Sequence, residues 1–554
     1  MSPLPEEFDI IVCGGGSCGC VVAGRLANLD HNLKVLLIEA GESNLNNPWI
    51  FRPGIFPRNM KLDSKTATFY ESKPSKWLGG RGAIVPAAHV LGGGSSINFM
   101  TGCRSDSAHA YVHATRAVHS NLYLACNTKV DKVIIENGRA VAARTSNEAY
   151  GQLRAFRARK QIVVSSGTIA GSPEKLRQAG VKPIVNLPGV GLNFQDNHLT
   201  FSVYRAKPGT ETFDDFARGD PEVQKRVFDE WNIKGTGPLA TNGIEAGVKI
   251  RPTEKELKEF EKWPTPHFKS GWKTYFKSKP DKPVMHYSLI AGWFGDHILM
   301  PPGNFFTMFH FLDYPFSRGS THIRSADPYE VPDFDAGFMN DERDMVPMLW
   351  GYIKSRETAR RMDAYAGEVQ NMHPFFNFDS PARAHELDLE DTNKYALPGN
   401  ITAGIQHGSW TVPVPPADEK PNVLHVTSNR KAKRKELKYS DEDIKAVEDW
   451  VKRHVETTWH CLGMCSMAPR EGNSIVKHGV LDERLSVHGV KGLKVADLSI
   501  CPDNVGCNTY STALLMGEKA AVLVAEDLGY SGEALQMKVP DYHAPGKTKL
   551  SSRL

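Results

Sequence analysis

The side chains best placed to do chemistry lie near the carboxyl end. Trp459-His460 is followed forty-eight residues later by Asn508, within Gly506-Cys507-Asn508-Thr509. A neutral imidazole takes up a proton near neutral pH, and a carboxamide NH₂ donates to an oxygen that becomes negative, so the pair could activate a hydroxyl group. Without context each is more often an ordinary surface or core residue, because the chain holds 20 histidines. A second kind of chemistry is written at the amino end, where Gly14-x-Gly16-x-x-Gly19 is followed after twenty residues by Glu39. Gly14 permits a tight turn, Gly16 lets backbone approach a pyrophosphate, and Gly19 lets a helix pack on a strand. Glu39 can accept hydrogen bonds from ribose hydroxyls. A glycine pattern alone is weak; with a strand, a helix and a spaced acid it predicts a dinucleotide site.

The elements needed to position these residues are legible. Phe8–Cys13 is an apolar run, Cys18 to Leu29 carries apolar residues at helical spacing, and Lys34–Glu39 is a second buried strand, giving one βαβ unit. Outside that unit lies a second glycine run, with Gly93, Gly94, Ser95 and Asn98. It reads either as a flexible loop or as further backbone apposed to the cofactor, where the flat ring of FAD would fit. Residues 121–165 alternate as short strands around the turn Asn137-Gly138 and predict a meander. Helical periodicity surrounds Glu254 to Lys262. A later helix, capped by Ser440 with Asp443 and burying Ile444, Val447, Val451 and Val455, delivers the chain to Trp459-His460. Residues 201–459 read as a second domain.

Composition narrows the partners. Among 554 residues, 67 Lys and Arg face 63 Asp and Glu, a formal charge of +4, too balanced for nucleic acid or an anionic membrane as the main partner. Phe8–Cys13 is much too short to span a bilayer, and the acidic Pro5-Glu6-Glu7 before it is unlike a secretory signal. Nine cysteines without framework spacing suit a reducing compartment. Cys461-x-x-x-Cys465 is at most half a metal site, with no second pair at a suitable spacing, so no metal is expected. The run Lys431 to Lys435 reads as a solvated basic loop. The last residues, Ser552-Arg553-Leu554, differ by one conservative step from the Ser-Lys-Leu peroxisomal address, a short match that also arises by chance.

Taken together, these segments resemble the glucose–methanol–choline oxidoreductase family, and within it the fungal alcohol (methanol) oxidases. The resemblance rests on the amino-terminal fingerprint, Val90 to Met100, Gly167 to Pro173, Val190-Gly-Leu-Asn-Phe-Gln-Asp-Asn197, Thr458-Trp-His-Cys-Leu-Gly463 and Leu493 to Tyr530. It implies an α/β plus α+β architecture: residues 6–200 with 460–535 form a discontinuous, Rossmann-like FAD-binding domain, residues 201–459 a substrate domain built on an antiparallel sheet with helices, and residues 536–554 a tail. By the same resemblance His460 is the catalytic base and Asn508 its partner, where many relatives carry a second histidine. Gly14, Gly16, Gly19 and Glu39 match adenosine-diphosphate contacts, Val130 matches an adenine contact, and Gly93 to Asn98 match the flavin-side loop. Asp497, in the Leu493 to Tyr530 segment, is a further candidate cofactor contact. Phe99, Met100 and Trp459 resemble residues narrowing an alcohol pocket, with plain core packing as the alternative.

The implied reaction is oxidation of a short primary alcohol to its aldehyde on FAD, with dioxygen reduced to hydrogen peroxide. A homo-oligomer in the peroxisome, brought there by an import receptor that reads Ser552, Arg553 and Leu554, would suit it. A quinone-using dehydrogenase and a flavin-binding protein without redox turnover are the alternatives. Three departures from the family pattern bear on them. His89 and Met464 replace residues usual at those positions, and a long family segment is absent between Met100 and Thr101. Loss of that segment should open the flavin and the pocket to water.

Overall fold

The computed structural model describes residues 4–98, 106–147, 152–167, 171–264, 275–295, 303–383 and 436–538. Phe99, Met100, the Met100–Thr101 junction, the basic run at 431–435 and Ser552 to Leu554 lie outside the described residues.

The βαβ unit forms as its spacing predicts. Strand β1 (Glu7–Cys13) is buried from Phe8 onward, helix α1 (Ser17–Leu29) follows the glycine turn, and strand β2 (Val35–Ile38) pairs parallel to β1. Strands covered on both faces need continuous apolar runs, which Ile10, Ile11, Val12 and Val35 to Ile38 supply. A seven-stranded sheet is built on this unit, in the order Leu122–Ala125, β2, β1, Gln152–Val164, Arg139–Asn147 and Lys129–Glu136. Leu493–Val495 adds to it beside Gln152–Val164. The meander turns at Asn137 and Gly138, both at positive φ, as an Asn-Gly hairpin requires. Its third strand is longer than a short-strand reading implies. Its first half pairs antiparallel with Arg139–Asn147 and its second half runs parallel to β1 and to Leu493–Val495, so one strand joins the meander to the central sheet.

A second, antiparallel sheet follows the order Ile244–Ile250, Met285–Ile290, Phe305–Leu312, His198–Ala206 and Tyr365–Glu368, with Glu456–Thr457 paired to the start of His198–Ala206. Helix Met345–Arg361 shares its apolar core with that sheet, and helix Asp441–His454 adds Ile444, Val447, Trp450 and Val451 to the same core. The latter helix begins with the predicted capping box of Ser440 and Asp443. Thr253 and Glu256 form another at the start of Glu254–Phe260.

Helix Tyr510–Asp527 lies against α1. Gly517 is required there, because a Cβ on it would come within 2.7 Å of Val21 Cβ. Arg25 binds Glu518 at 2.7 Å and Cys18 Sγ donates to Ala513 O at 3.0 Å. The start of this helix, just after Asn508, is thereby brought to the glycine turn, joining the two ends of the sequence. Among the described residues no helix is long and apolar enough to cross a membrane, and no cluster of three or more His, Cys, Asp or Glu is arranged to hold a metal.

Candidate functional site

The glycine cradle is built by contact between the two glycine runs. Gly14 has φ +103°, and a Cβ there would lie 2.5 Å from Ser165 O. A Cβ on Gly19 would lie 2.0 Å from Gly14 O, so α1 can approach the strand end only without a side chain. Gly16 differs, because its Cβ position meets only Ser165 O at 3.6 Å and its φ of −68° suits any residue. Absence of a side chain at Gly16 therefore serves something other than protein packing. Gly92 N donates to Gly15 O at 2.7 Å, and a Cβ on Gly93 would lie 2.7 Å from Gly16 Cα, which sets the second glycine run directly on the first. Around Gly94 the space is open. Ser95 is fully buried and its hydroxyl donates to Gly92 O at 2.6 Å, so it shapes the turn.

Two carboxylates brace this cradle. Glu39 accepts from Gly15 N at 2.7 Å and from Gly41 N at 2.8 Å. Asp497 accepts from Gly167 N at 2.9 Å and Ser499 N at 2.8 Å. Both are nearly buried, and burial raises the Asp497 pKa against the opposing hydrogen bonds.

His460 is held from behind. Strand Glu456–Thr457 is tied to His198–Ala206, and the chain turns inward at Trp459, whose φ of +61° is an uncommon conformation for a bulky residue. Asp196 grips the backbone after that turn: its carboxylate accepts from His460 N at 3.0 Å, Cys461 Sγ at 3.3 Å and the Thr457 hydroxyl. Asn197 grips the ring, with Oδ1 2.9 Å from His460 Nδ1. Phe311 presents an edge-on contact at 5.8 Å, and His286 stacks on Phe311 at 4.5 Å. Burial, with smaller contributions from the neighbouring His286 and Lys249, lowers the His460 pKa to about 3, so the ring is neutral at physiological pH.

Asn508 stands at the end of a loop held by Lys249 of the second sheet and by the segment that follows strand Phe305–Leu312. Tyr314 Oη donates to Val505 O at 3.2 Å, Lys249 Nζ to Gly506 O at 2.5 Å, and Arg318 pairs with Asp503 at 3.1 Å. Gly506, at φ +59°, packs against the Tyr314 ring, where a Cβ would come within 2.2 Å of Tyr314 Cζ.

One cavity of about 2070 Å³ joins these parts. It exceeds the roughly 300–1,000 Å³ of common ligand pockets, as a site for a dinucleotide and a substrate must. Gly14, Gly16, Glu39, Gly93, Gly94, Ser95, Asn98, Val130, Trp459, His460, Asp497 and Asn508 all line it. Gly19 does not; its place is beneath, in the helix packing. His89 and Met464, the two departures from the family pattern, line it as well.

Several lining or supporting residues have no counterpart in the motif reading. Phe309 and Phe311, two apart on Phe305–Leu312, join Phe201, Phe294 and Ile290 in an apolar wall behind Trp459. His286 faces the same cavity. Their signal in the sequence was only strand alternation, which every core strand shares. Asp196 and Asn197 sit inside a recognised motif, yet nothing in its spacing points toward His460.

Comparison with known proteins agrees with this layout. GMC oxidoreductase family models match residues 100–199 and 315–517. Alcohol oxidase 1 of Komagataella phaffii is 55% identical over 653 residues, covering 97% of this chain and 98% of its own. Alcohol oxidase of Candida boidinii is 54% identical over the same length, with the same coverage. Because those alignments run over 653 positions and this chain has 554 residues, at least 99 positions of the relatives lack a counterpart here. Among solved structures, the fold is shared with an Aspergillus oryzae formate oxidase studied for modification of its FAD, at 18% identity and TM-score 0.71 over 95% of this chain and 99% of that one. A fungal aryl-alcohol oxidase, at 16% identity and TM-score 0.65, covers 95% and 100%. A glycine cradle and a caged histidine facing one cavity, with identity above one half along nearly the whole chain, make this protein a member of the GMC oxidoreductase family.

Proposed function

We propose that the chain oxidises a short-chain primary alcohol to the aldehyde with FAD as its cofactor, dioxygen being reduced to hydrogen peroxide. The observation that carries this reading is the single cavity running from the glycine cradle to the buried imidazole of His460. The residues fit a dinucleotide cofactor, since Gly16 and Gly94 leave open the space that side chains would fill and the α1 amino terminus faces the same cavity. Gly14, Gly16, Gly19, Glu39 and Val130 would hold or shape the adenosine-diphosphate portion, and Gly93, Gly94, Ser95, Asn98 and Asp497 the flavin portion. Bound FAD would supply the hydride acceptor and pass two electrons to dioxygen.

The protein's own part is proton chemistry and orientation. Among the described residues His460 Nε2 has no hydrogen-bond partner, and His460 lines the cavity. Its neutral ring takes the hydroxyl proton while the Asn508 amide donates to the alkoxide oxygen. The imidazolium so formed is costly in a buried site, and the adjacent negative oxygen offsets that cost. Trp459 with Phe309 and Phe311 bounds the alcohol with apolar surface. Removal of a base of this kind costs about 10²- to 10⁴-fold. FAD-loaded His460→Ala should therefore lose alcohol-dependent peroxide formation while keeping its colour, and wild-type turnover in that variant would reject the assignment.

This reading extends to a homo-oligomer in the peroxisomal matrix, reached through an import receptor for Ser552-Arg553-Leu554, where peroxide is contained. A second reading, a flavin binder without redox turnover, is favoured by the relatives' positions that lack a counterpart here. Anaerobic mixing with methanol separates them: bleaching of the flavin's visible absorption supports the oxidase, and unchanged absorption supports the inert binder.

A further inference from the structure

Asn197 is fully buried immediately before strand His198–Ala206, and its amide is pinned on both sides. Nδ2 donates to Leu312 O at 2.8 Å and to Asp313 O at 2.9 Å. Both are backbone carbonyls, which can only accept, so the nitrogen must face them and the oxygen must face His460. An amide oxygen also only accepts. The 2.9 Å contact from Oδ1 to His460 Nδ1 therefore requires the hydrogen to reside on Nδ1.

We propose, resting on the reading of His460 as the base, that Asn197 is a positioning residue that fixes the His460 tautomer, holding the proton on Nδ1 so that the lone pair on Nε2 faces the alcohol. Two carbonyls of strand Phe305–Leu312 and its following residue thus dictate, through one amide, which imidazole nitrogen can react. Asp196 complements this by setting the backbone, accepting from His460 N. When Nε2 takes a proton, Nδ1–H keeps its acceptor and the ring does not need to turn. The titratable groups around the ring are His286 and Lys249 from the neighbouring strands, Asp196 and Cys461 from its own cage, and Asp313 beyond the Asn197 amide.

The test uses FAD-loaded enzyme, methanol as the alcohol, and anaerobic flavin reduction followed across pH. Asn197→Leu keeps the volume but removes the acceptor, freeing the ring to take either tautomer. The reduction rate should fall about 10- to 100-fold, as when an imidazole loses the partner that orients it, with little change in the half-saturating methanol concentration. Asn197→Asp keeps an oxygen toward Nδ1 but turns its second oxygen to the Leu312 and Asp313 carbonyls, which cannot donate to it, so it should recover only part of that rate. Its negative charge favours imidazolium, so the acidic limb of its rate profile should move to higher pH. Equal loss in both variants with an unmoved limb would mean that Asn197 only packs, and full rate in Asn197→Leu would also overturn the proposal. If Asn197→Leu does not load FAD, the ring ¹⁵N shifts of His460 in the wild-type enzyme decide: a hydrogen on Nδ1 is expected, and one on Nε2 overturns the proposal. His460→Ala guards the underlying reading: undiminished flavin reduction there sinks the base assignment itself, whereas an inactive His460→Ala beside fully active Asn197 variants sinks only the tautomer proposal.

Discussion

Gly16→Ala separates a glycine that serves a ligand from glycines that serve the fold. The added methyl would meet nothing closer than Ser165 O at 3.6 Å, an ordinary contact, and the backbone at φ −68° accepts alanine. Folding of the cofactor-free protein should be unchanged, or gain up to about 1 kcal/mol from the stiffer unfolded chain. If the pyrophosphate of FAD approaches the backbone here, the methyl displaces it and loses a hydrogen bond to a charged group worth roughly 1.5–3 kcal/mol. That corresponds to FAD binding weakened about 10- to 150-fold. Gly19→Ala is the contrast, because its Cβ would sit 2.0 Å from Gly14 O and α1 must move away to admit it. Overpacking of that kind costs about 1–3 kcal/mol and should lower the melting temperature even without FAD. Calorimetric titration of apoprotein with FAD, alongside thermal melts without it, reads both quantities. Wild-type FAD affinity in Gly16→Ala would refute the placement of the pyrophosphate, and an unchanged apoprotein melt in Gly19→Ala would refute the packing argument.

Three further outcomes are expected. Arg356 is wholly buried and makes a two-pronged pair with Glu368 at 2.7 and 2.9 Å; Glu368→Ala strands that charge and should destabilise by about 3–5 kcal/mol, with an unchanged denaturation midpoint counting against it. His198, His310 and His454 have pKa values lowered to about 3 by burial, so below pH 6.5 the unfolded chain binds protons that the folded chain refuses. Stability from these three should be fully present above 6.5 and fall by up to about 1.4 kcal/mol per unit for each as pH drops toward 3; a His454→Gln variant whose urea midpoint changes with pH between 7 and 5 as steeply as the wild type's would contradict this. Lys249→Met removes the bond to Gly506 O and the nearest cation to buried Asp313, 3.6 Å away. Turnover should fall about tenfold through a loosened Asn508 while FAD stays bound, and a wild-type rate constant would show that the loop holds itself.

Local regularities were legible in the sequence. The βαβ unit, the Asn137-Gly138 hairpin and the Ser440 capping box each depend on neighbours a few residues apart, and each is present with its expected side chains. The predicted stripe of helix Asp441–His454 is buried as read, while Trp450 joins it unannounced because a broad apolar face admits one more residue. The double role of Gln152–Val164 was not legible, since an alternating run does not say which partner each half takes.

By itself, the sequence determined the residue types, their local elements and, through glycine spacing, that a dinucleotide could be cradled. Only tertiary structure decided that the two glycine runs touch, that His460 and Asn508 open on the cavity they line, and that Asn197 stands behind the imidazole, 263 residues away along the chain. The physical reason is range. A turn or a cap is chosen by sterics and hydrogen bonds among adjacent residues, whereas those contacts exist only after two sheets and two distant helices have buried their apolar faces together.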